Sequence, residues 1–283
     1  MNGVMDSDEF FDLLSNSTRI DILRTLANAH EETPDDPWLE YTELRTAVGV
    51  RDNGNFNYHL DRMGDLVVKG PTGYCLSRIG MAILSTVASG VFDPDWRWGP
   101  VDTPGDCQYC DDRVQLVYRD GNLWLTCGAD DHTIPLSVPP SVLDSHPDDA
   151  VVEQVAMLQH QWIALTRQGI CAECYGHVDG SISYGGARED HYHYHGECRR
   201  CGFHHGVPVG LLVLGHPTVQ SFYYERGIDI RTVPFWTLDF CEPGSETMLS
   251  SDPLRLQIDV AHDGDELHVT LDRDGTIVST DHP

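Results

Sequence analysis

Six of the nine cysteines stand in Cys-x-x-Cys pairs, and this spacing constrains the fold more than any other feature of the chain. The pairs are Cys107 and Cys110, Cys171 and Cys174, and Cys198 and Cys201. In an intracellular protein such pairs indicate metal sites more readily than disulfides. The chain is therefore expected to contain small metal-held modules besides any ordinary hydrophobic core.

The second and third pairs are separated by 23 residues and together supply four thiolates, the ligand set of a tetrahedral structural Zn²⁺ site. Gly176 and Gly202 follow these pairs where a tight turn is needed, and the intervening alternation favours a hairpin. We predict a four-cysteine zinc ribbon over residues 169–208. A redox dithiol is the alternative, but no βαβ pattern surrounds either pair.

The first pair lacks a matching partner pair. Cys127 closes a predicted hairpin, and four residues separate it from His132, the best candidate for a fourth ligand. The expected site is thus Cys107, Cys110, Cys127 and His132. Alternatives are a degenerate site, an aspartate ligand (Asp130 or Asp131), or an open position that would suit a sensory or catalytic metal. The sequence predicts one zinc ion per chain and allows two.

Three further histidines, His191, His193 and His195, alternate along one segment and would share one face of a strand. A hairpin strand with a polar face is the favoured interpretation, and a metal-sensing triad is the alternative. Cys75 and Cys241 have no partner pair and are predicted to be core residues.

The charge of the chain is −27, from 18 basic and 45 acidic residues, and Lys69 is its one lysine. This composition resembles that of proteins from extremely halophilic archaea. High net charge keeps a protein soluble, and in molar salt the self-repulsion is screened within about 3 Å. Acidity argues against phosphate-driven nucleic-acid binding, although counterion release contributes little in molar salt.

The first ninety residues predict short helices followed by a hairpin. After an initial helix capped by Ser7, helices begin near Asn16 and near Thr42. A fourth helix, capped by Asn53, places Phe56, Leu60 and Met63 in the core. Its outer surface carries Asn55, Asn57, Tyr58 and Arg62, whose amide, phenol and guanidinium groups suit base edges in a major groove. A hairpin over residues 67–76 and a helix capped by Ser77 follow.

This region resembles ArsR-like winged helix-turn-helix regulators of halophilic archaea. The resemblance lies in three segments that start at Leu14 (Leu-Ser-Asn-Ser-Thr-Arg-Ile-Asp-Ile-Leu), Asn55 (Asn-Phe-Asn-Tyr-His-Leu) and Gly73 (Gly-Tyr-Cys-Leu-Ser-Arg-Ile-Gly). It implies a homodimer that binds double-stranded DNA. Implied contacts are Asn53, Asn55, Asn57, Tyr58 and Arg62 on the helix, with Lys69 and Arg78 on phosphates near the wing. The helix before the recognition helix lacks the cysteine pair of metal-sensing members.

The predicted fold class is α+β, with the winged helix-turn-helix, two zinc-ribbon-like β modules, linking helices and a small antiparallel sheet. The rest of the chain also resembles the zinc-ribbon region attached to such domains. The expected divisions are residues 1–92, the first module at 93–146, a linking helix at 147–168, the second ribbon at 169–208, and an effector or dimerisation segment at 209–283. In that last segment a helix is predicted over 207–226 and strands over 233–240, 255–261, 266–272 and 276–280.

A cytoplasmic transcriptional regulator is the expected function. No apolar run is long enough for a membrane helix, and the N-terminus has no signal-peptide pattern. The alternative is a zinc-stabilised protein-interaction scaffold that does not bind DNA. An enzyme is not expected, because no phosphate loop, HExxH motif or Gly-x-Ser-x-Gly motif is present. The sequence does not identify an effector, an operator or the direction of regulation.

Overall fold

The computed structural model describes residues 15–128, 132–186 and 189–282. The predicted first helix from Ser7 and the alternative ligands Asp130 and Asp131 lie outside these residues. The chain divides into two compact units, Met1–Phe92 and Asp93–Pro283. Within the described residues it is an α+β protein with seven α-helices and four small antiparallel sheets.

The first unit contains four described helices and one hairpin. In chain order these are α1 (Ser17–Glu32), α2 (Tyr41–Ala47), α3 (Asn53–Arg62), β1 (Val67–Lys69), β2 (Tyr74–Leu76) and α4 (Arg78–Ala88). Strands β1 and β2 pair antiparallel, with Val68 opposite Cys75. A bridge between Leu39 and Tyr74 ties the segment before α2 to the hairpin.

Side-chain caps explain where three of these helices begin. Asn16 accepts a hydrogen bond from the Arg19 amide at 3.2 Å, and Ser77 accepts one from the Gly80 amide at 3.0 Å. The predicted cap of α3 was wrong by one residue. Asp52, not Asn53, accepts from the Asn55 amide at 2.6 Å, and Asn53 is the first helical residue. A carboxylate is favoured at this position because it also faces the positive end of the helix dipole.

A compact apolar core holds the first unit together. Phe56, Leu60 and Met63 of the α3 region are buried, as predicted, against residues of α1 and α2 that include Ile22 and Leu44. Gly80 lies at the contact between α4 and the turn before β1, where an added Cβ would be 2.3 Å from the Leu66 carbonyl oxygen. That close approach explains glycine in a helix interior.

The second unit contains three sheets and three helices. Its elements are β3 (Trp98–Asp106), β4 (Arg113–Arg119), β5 (Asn122–Thr126), β6 (Thr133–Leu136), α5 (Pro140–Asp144), α6 (Asp148–Arg167), β7 (Val178–Gly186), β8 (Glu189–Cys198), β9 (His204–Pro208), α7 (Pro217–Tyr224), β10 (Thr247–Ser251), β11 (Leu254–His262), β12 (Asp265–Leu271) and β13 (Ile277–Asp281). Strands β3–β6, β7–β9 and β10–β13 form three sheets in which sequential neighbours pair. Such meanders need only short turns, such as Asp263-Gly264 with φ values of 52° and 90°.

Two predictions in the second unit were wrong. The segment 207–226 is not one helix, because Val207 and Pro208 end strand β9 and a 3-10 helix, Val209–Val213, precedes α7. The segment 233–240 is not a strand but two short 3-10 helices, Phe235–Thr237 and Asp239–Cys241. Proline explains both outcomes, since Pro208 and Pro234 lack the amide that a continuing helix or an inner strand requires. Strand β10 was not predicted.

One continuous apolar core joins the helices and sheets of the second unit. It includes Val155 and Ile163 of α6, Leu116 of β4 and Leu256 of β11, each almost completely buried. The pattern of aromatic residues predicts core positions for Phe235, Trp236, Tyr223 and Tyr224; the first three belong to this core, but Tyr224 is 78% exposed. Among the helices described here, none is both long and apolar enough to span a membrane.

The packing predicts a sharp contrast between two leucines on adjacent strands. Replacing the fully buried Leu256 by alanine should lower the free energy of unfolding of the second unit by about 2–5 kcal/mol, because it leaves a cavity. Leu249→Ala, at a side chain that is 54% exposed, should change it by about 0.5 kcal/mol at most. Denaturant unfolding in molar KCl measures both, and equal losses would contradict the assigned register of β10 and β11.

Candidate metal centres

Four potential ligands of the first module converge on one point. Cys107 and Cys110 follow β3, Cys127 follows β5, and His132 precedes β6. The Nδ1 atom of His132 lies 3.6 Å from the Sγ atoms of both Cys107 and Cys127. The Sγ atoms of Cys110 and Cys127 are also 3.6 Å apart. All four ligand atoms lie within 4.8 Å of one another.

The four cysteines of the second group converge in the same way. Cys171 and Cys174 precede β7, Cys198 ends β8, and Cys201 lies in the connection to β9. The Sγ atoms of Cys171 and Cys201 are 3.8 Å apart, and those of Cys174 and Cys198 are 3.5 Å apart. Again, all four lie within 4.8 Å of one another.

These separations fit a four-coordinate metal ion. A Zn–S bond of about 2.3 Å gives ligand-to-ligand edges of about 3.8 Å in a regular tetrahedron, and a nitrogen ligand shortens them slightly. Both groups of ligand atoms are spaced close to this value. In each group, therefore, the residues present can hold a metal ion with four protein ligands.

All three Cys-x-x-Cys segments share one backbone conformation. The amide of the first cysteine donates to the carbonyl five residues later, at 2.7 Å for Cys107 and 2.9 Å for Cys171 and Cys198. The residue four positions after that cysteine has a positive φ in each case. These residues are Asp111, Tyr175 and Gly202, with φ values of 57°, 58° and 73°. The turn aims both sulfur atoms of a pair in one direction.

The positive φ values show which glycine the turn requires. Gly202 occupies the left-handed position, as predicted, but the matching residue in the second pair is Tyr175 and not Gly176. Glycine is required at position 176 for a different reason, because a side chain there would not fit. An added Cβ would lie 2.8 Å from Cβ of Arg200 and about as close to two ligand atoms, 3.1 Å from Sγ of Cys198 and 3.2 Å from Sγ of Cys174. Left-handed backbone costs roughly 1–2 kcal/mol for a residue with a side chain, so Asp111 and Tyr175 are held there by the surrounding structure.

Backbone amides favour the ionised form of one ligand. Hydrogen bonds from the backbone amides of Cys201 and Arg200 lower the pKa of the Cys198 thiol to about 6. Burial acts in the opposite direction but is outweighed. The Arg200 amide lies 3.4 Å from that sulfur. A thiolate is the metal-binding form of cysteine, so this centre is arranged to deprotonate at least one ligand near neutral pH.

An aromatic contact supports the histidine ligand of the first centre. The ring of Tyr109 lies 4.9 Å from the ring of His132, between centroids. Trp236 donates from Nε1 to the Pro104 carbonyl at 3.0 Å, which ties the strand before Cys107 to the core of the unit. Sequence spacing does not predict the contact of Trp236 with Pro104, because the two residues are more than one hundred positions apart.

The three alternating histidines do not form a third centre. Nε2 atoms of His191 and His193 are 2.7 Å apart, but the rings of His193 and His195 are separated by 5.6 Å. Among the described residues, the two cysteine-containing groups are the sets of three or more ligands that converge. Cys75 and Cys241 are buried, as predicted, and burial raises the pKa of both thiols.

The residues predicted to contact DNA belong to the first unit, and the candidate metal centres belong to the second. Asn53, Asn55, Asn57, Tyr58 and Arg62 are exposed on α3, and Lys69 and Arg78 are exposed at the hairpin and at the start of α4.

The two centres predict a simple pattern of metal content. Wild-type protein should carry two metal ions per chain, and Cys198→Ser or Cys127→Ser should each remove about one, because three ligands hold the ion less tightly. Cys75→Ser, at a buried cysteine outside both groups, should retain both ions. Elemental analysis measures the content. Hydrogen exchange after chelation should show loss of structure within residues 100–210, and intact protection there would contradict a folding role for the metal.

Two family models match the chain. Residues 7–87 match a domain of unknown function, DUF7347, and residues 104–277 match a second domain of unknown function, DUF7351. No curated protein and no solved structure matches the chain significantly. The second model covers more than half of the chain and includes both candidate metal centres, so the protein belongs to the DUF7351 family.

Proposed function

We propose that this protein is a DNA-binding transcriptional regulator whose second unit is stabilised by zinc. The observation that carries the proposal is the division of helix α3 into two surfaces. Phe56, Leu60 and Met63 are buried, while Asn55, Asn57, Tyr58 and Arg62 are exposed. Tyr58 is 55% exposed, although tyrosine is a large and partly apolar residue. A polar, hydrogen-bonding surface on a firmly seated helix suits insertion into a major groove.

The order of elements around α3 supports the same proposal. Helix α2 precedes α3 across a short turn in which Gly49 has a φ of 77°. The β1–β2 hairpin and helix α4 follow it, which is the order of a winged helix-turn-helix. Lys69 lies on the hairpin, with Nζ 5.6 Å from the centre of the Tyr74 ring. In this proposal Lys69 and Arg78 approach the phosphates beside the groove.

The acidic residues of this region limit how DNA is bound. Asp52 is occupied as the cap of α3, but Asp61 and Asp65 are exposed near the same helix. Their repulsion from phosphate is screened in molar salt, where base contacts and shape supply most of the affinity. We therefore expect the protein to function in high salt.

Zinc is the proposed metal in both centres. Sets of three or four thiolates favour Zn²⁺, and four protein ligands leave no position for a substrate. The sheets β3–β6 and β7–β9 then each depend on a bound ion for part of their stability. A structural role of this kind fits a regulator better than a catalytic one.

A homodimer is the proposed assembly, through helix α4 and the residues after it. This helix is the most apolar of the first unit, yet Gly80 is its one buried residue. Ile79 and Val87 are about half exposed, and Val91 and Phe92 beyond the helix are 46% and 70% exposed. We infer an interface from the concentration of exposed apolar side chains in this one stretch of the chain. A second copy of the chain would cover it symmetrically.

The first test concerns DNA. Genomic fragments selected by the full chain in molar KCl should yield a defined site, and Arg62→Ala should weaken binding to it by about 1–3 kcal/mol if Arg62 makes a bidentate base contact. Arg113→Ala, at an exposed arginine of the second unit, is the matched control and should leave the affinity unchanged. Failure to select any fragment would favour the protein-interaction scaffold instead.

The second test concerns the dimer. Val87→Asp places a charge in the proposed interface and should convert dimers to monomers in sedimentation experiments, because an unpaired buried carboxylate is costly. Val278→Asp, at a 44% exposed valine of the second unit, should leave the mass unchanged. A wild-type protein that is monomeric throughout would refute this assembly.

A further inference from the structure

A groove in the second unit has the properties of a small-molecule site. It has a volume of about 430 Å³ and lies between α5, α6, α7 and the 3-10 helix Ile230–Thr232. Pockets that bind small ligands begin at about 300 Å³, so the groove is large enough for one. None of the residues that line it belongs to either candidate metal centre.

Two small residues that line the groove lie close to each other. Ala164 of α6 lies opposite Gly215, and a Cβ added to Gly215 would lie 3.8 Å from Cβ of Ala164. Larger side chains at these positions would fill the space. The larger apolar residues that line the groove are Val142 of α5 and Met157 and Leu158 of α6.

The groove is unusual for this chain because it lacks unbalanced charge. Among the described residues none that lines it is acidic, although 45 of the 283 residues of the chain are. Its one cationic residue is Arg231, which donates to both carboxylate oxygens of Asp229, at 2.8 Å from Nε and 2.6 Å from Nη2. That pairing compensates the guanidinium charge. The groove therefore offers a strongly charged ligand no uncompensated counter-charge among the residues that line it.

The polar groups of the groove are mostly neutral. Three glutamines line it, Gln154 and Gln161 of α6 and Gln220 of α7. Each carboxamide offers donors and an acceptor. His160 is buried beside them, with Nε2 3.4 Å from the Val233 carbonyl oxygen, and burial lowers its pKa, so the imidazole is neutral at pH 7. His146 contacts the Val142 carbonyl through Nδ1 at 2.9 Å.

We propose that this groove binds an uncharged, planar heterocycle of the nucleobase class, as a free base or a nucleoside. The apolar side chains that line the groove suit the faces of such a ring. The carboxamides both donate and accept hydrogen bonds, so they suit the edge of the ring, where donors and acceptors alternate. The volume matches a ligand of this size. The site is independent of DNA binding, and its failure would leave the proposed function of the first unit untouched.

Direct titration tests the proposal. The zinc-loaded full chain in molar KCl is titrated by calorimetry with adenosine, guanosine, cytidine and uridine, with the four free bases, and with the corresponding 5′-monophosphates. At least one base or nucleoside should bind with a dissociation constant below about 1 mM, and its monophosphate should bind at least tenfold more weakly. Absence of binding by all bases and nucleosides, or tighter binding of the monophosphate, would overturn the proposal.

Variants then locate the bound molecule. Ala164→Phe should abolish binding because the larger side chain would occupy space in the groove. Gln161→Leu should weaken binding about tenfold, because it removes hydrogen bonds to the ligand at an exposed site that tolerates substitution. Gln257→Leu is the matched control, since Gln257 lies on the C-terminal sheet outside the groove. Circular dichroism and metal content establish that each variant is folded. Unchanged affinity in Gln161→Leu and in a folded Ala164→Phe would place the ligand elsewhere and refute this site.

Discussion

The convergence of ligand atoms in two places is the constraint on which the second unit depends. The sheets β3–β6 and β7–β9 contribute to the continuous core of the second unit, but two of their cysteine-bearing turns place a residue with a side chain in left-handed backbone. A metal ion held by the four ligand atoms of each group would contribute folding free energy directly and would offset the cost of Asp111 and Tyr175 at positive φ.

In the proposed function, acidic composition and DNA binding are compatible because molar salt screens the carboxylates near α3. The exposed surface of α3 is amide-rich instead of basic, and specificity from hydrogen bonds survives conditions in which counterion release contributes little. The same composition makes the charge-balanced groove stand out. A surface with 45 acidic residues would be expected to place some of them at any large depression.

Local spacing predicted a large part of this structure. Cysteine pairs, capping residues and turn dipeptides are short-range features, so the α+β class, the hairpins and the helix from residue 53 could be recognised from sequence. The apolar content of residues 207–226 and 233–240 resembles that of a helix and a strand, but Pro208 and Pro234 prevent those structures. The groove could not be predicted, since Val142, Ala164, Gly215 and Arg231 come from four separate segments. The contact of Trp236 with Pro104 is equally distant in sequence.

Burial differs among the ligands within each candidate centre. Cys110 and Cys201 are exposed, whereas Cys107, Cys127, Cys171 and Cys198 are buried. Transfer of a bound metal ion to an external thiol would thus begin with displacement of the exposed cysteine of each group, Cys110 or Cys201. A tightly bound ion would then remain exchangeable, because an incoming thiolate could reach one ligand position without unfolding of the sheets.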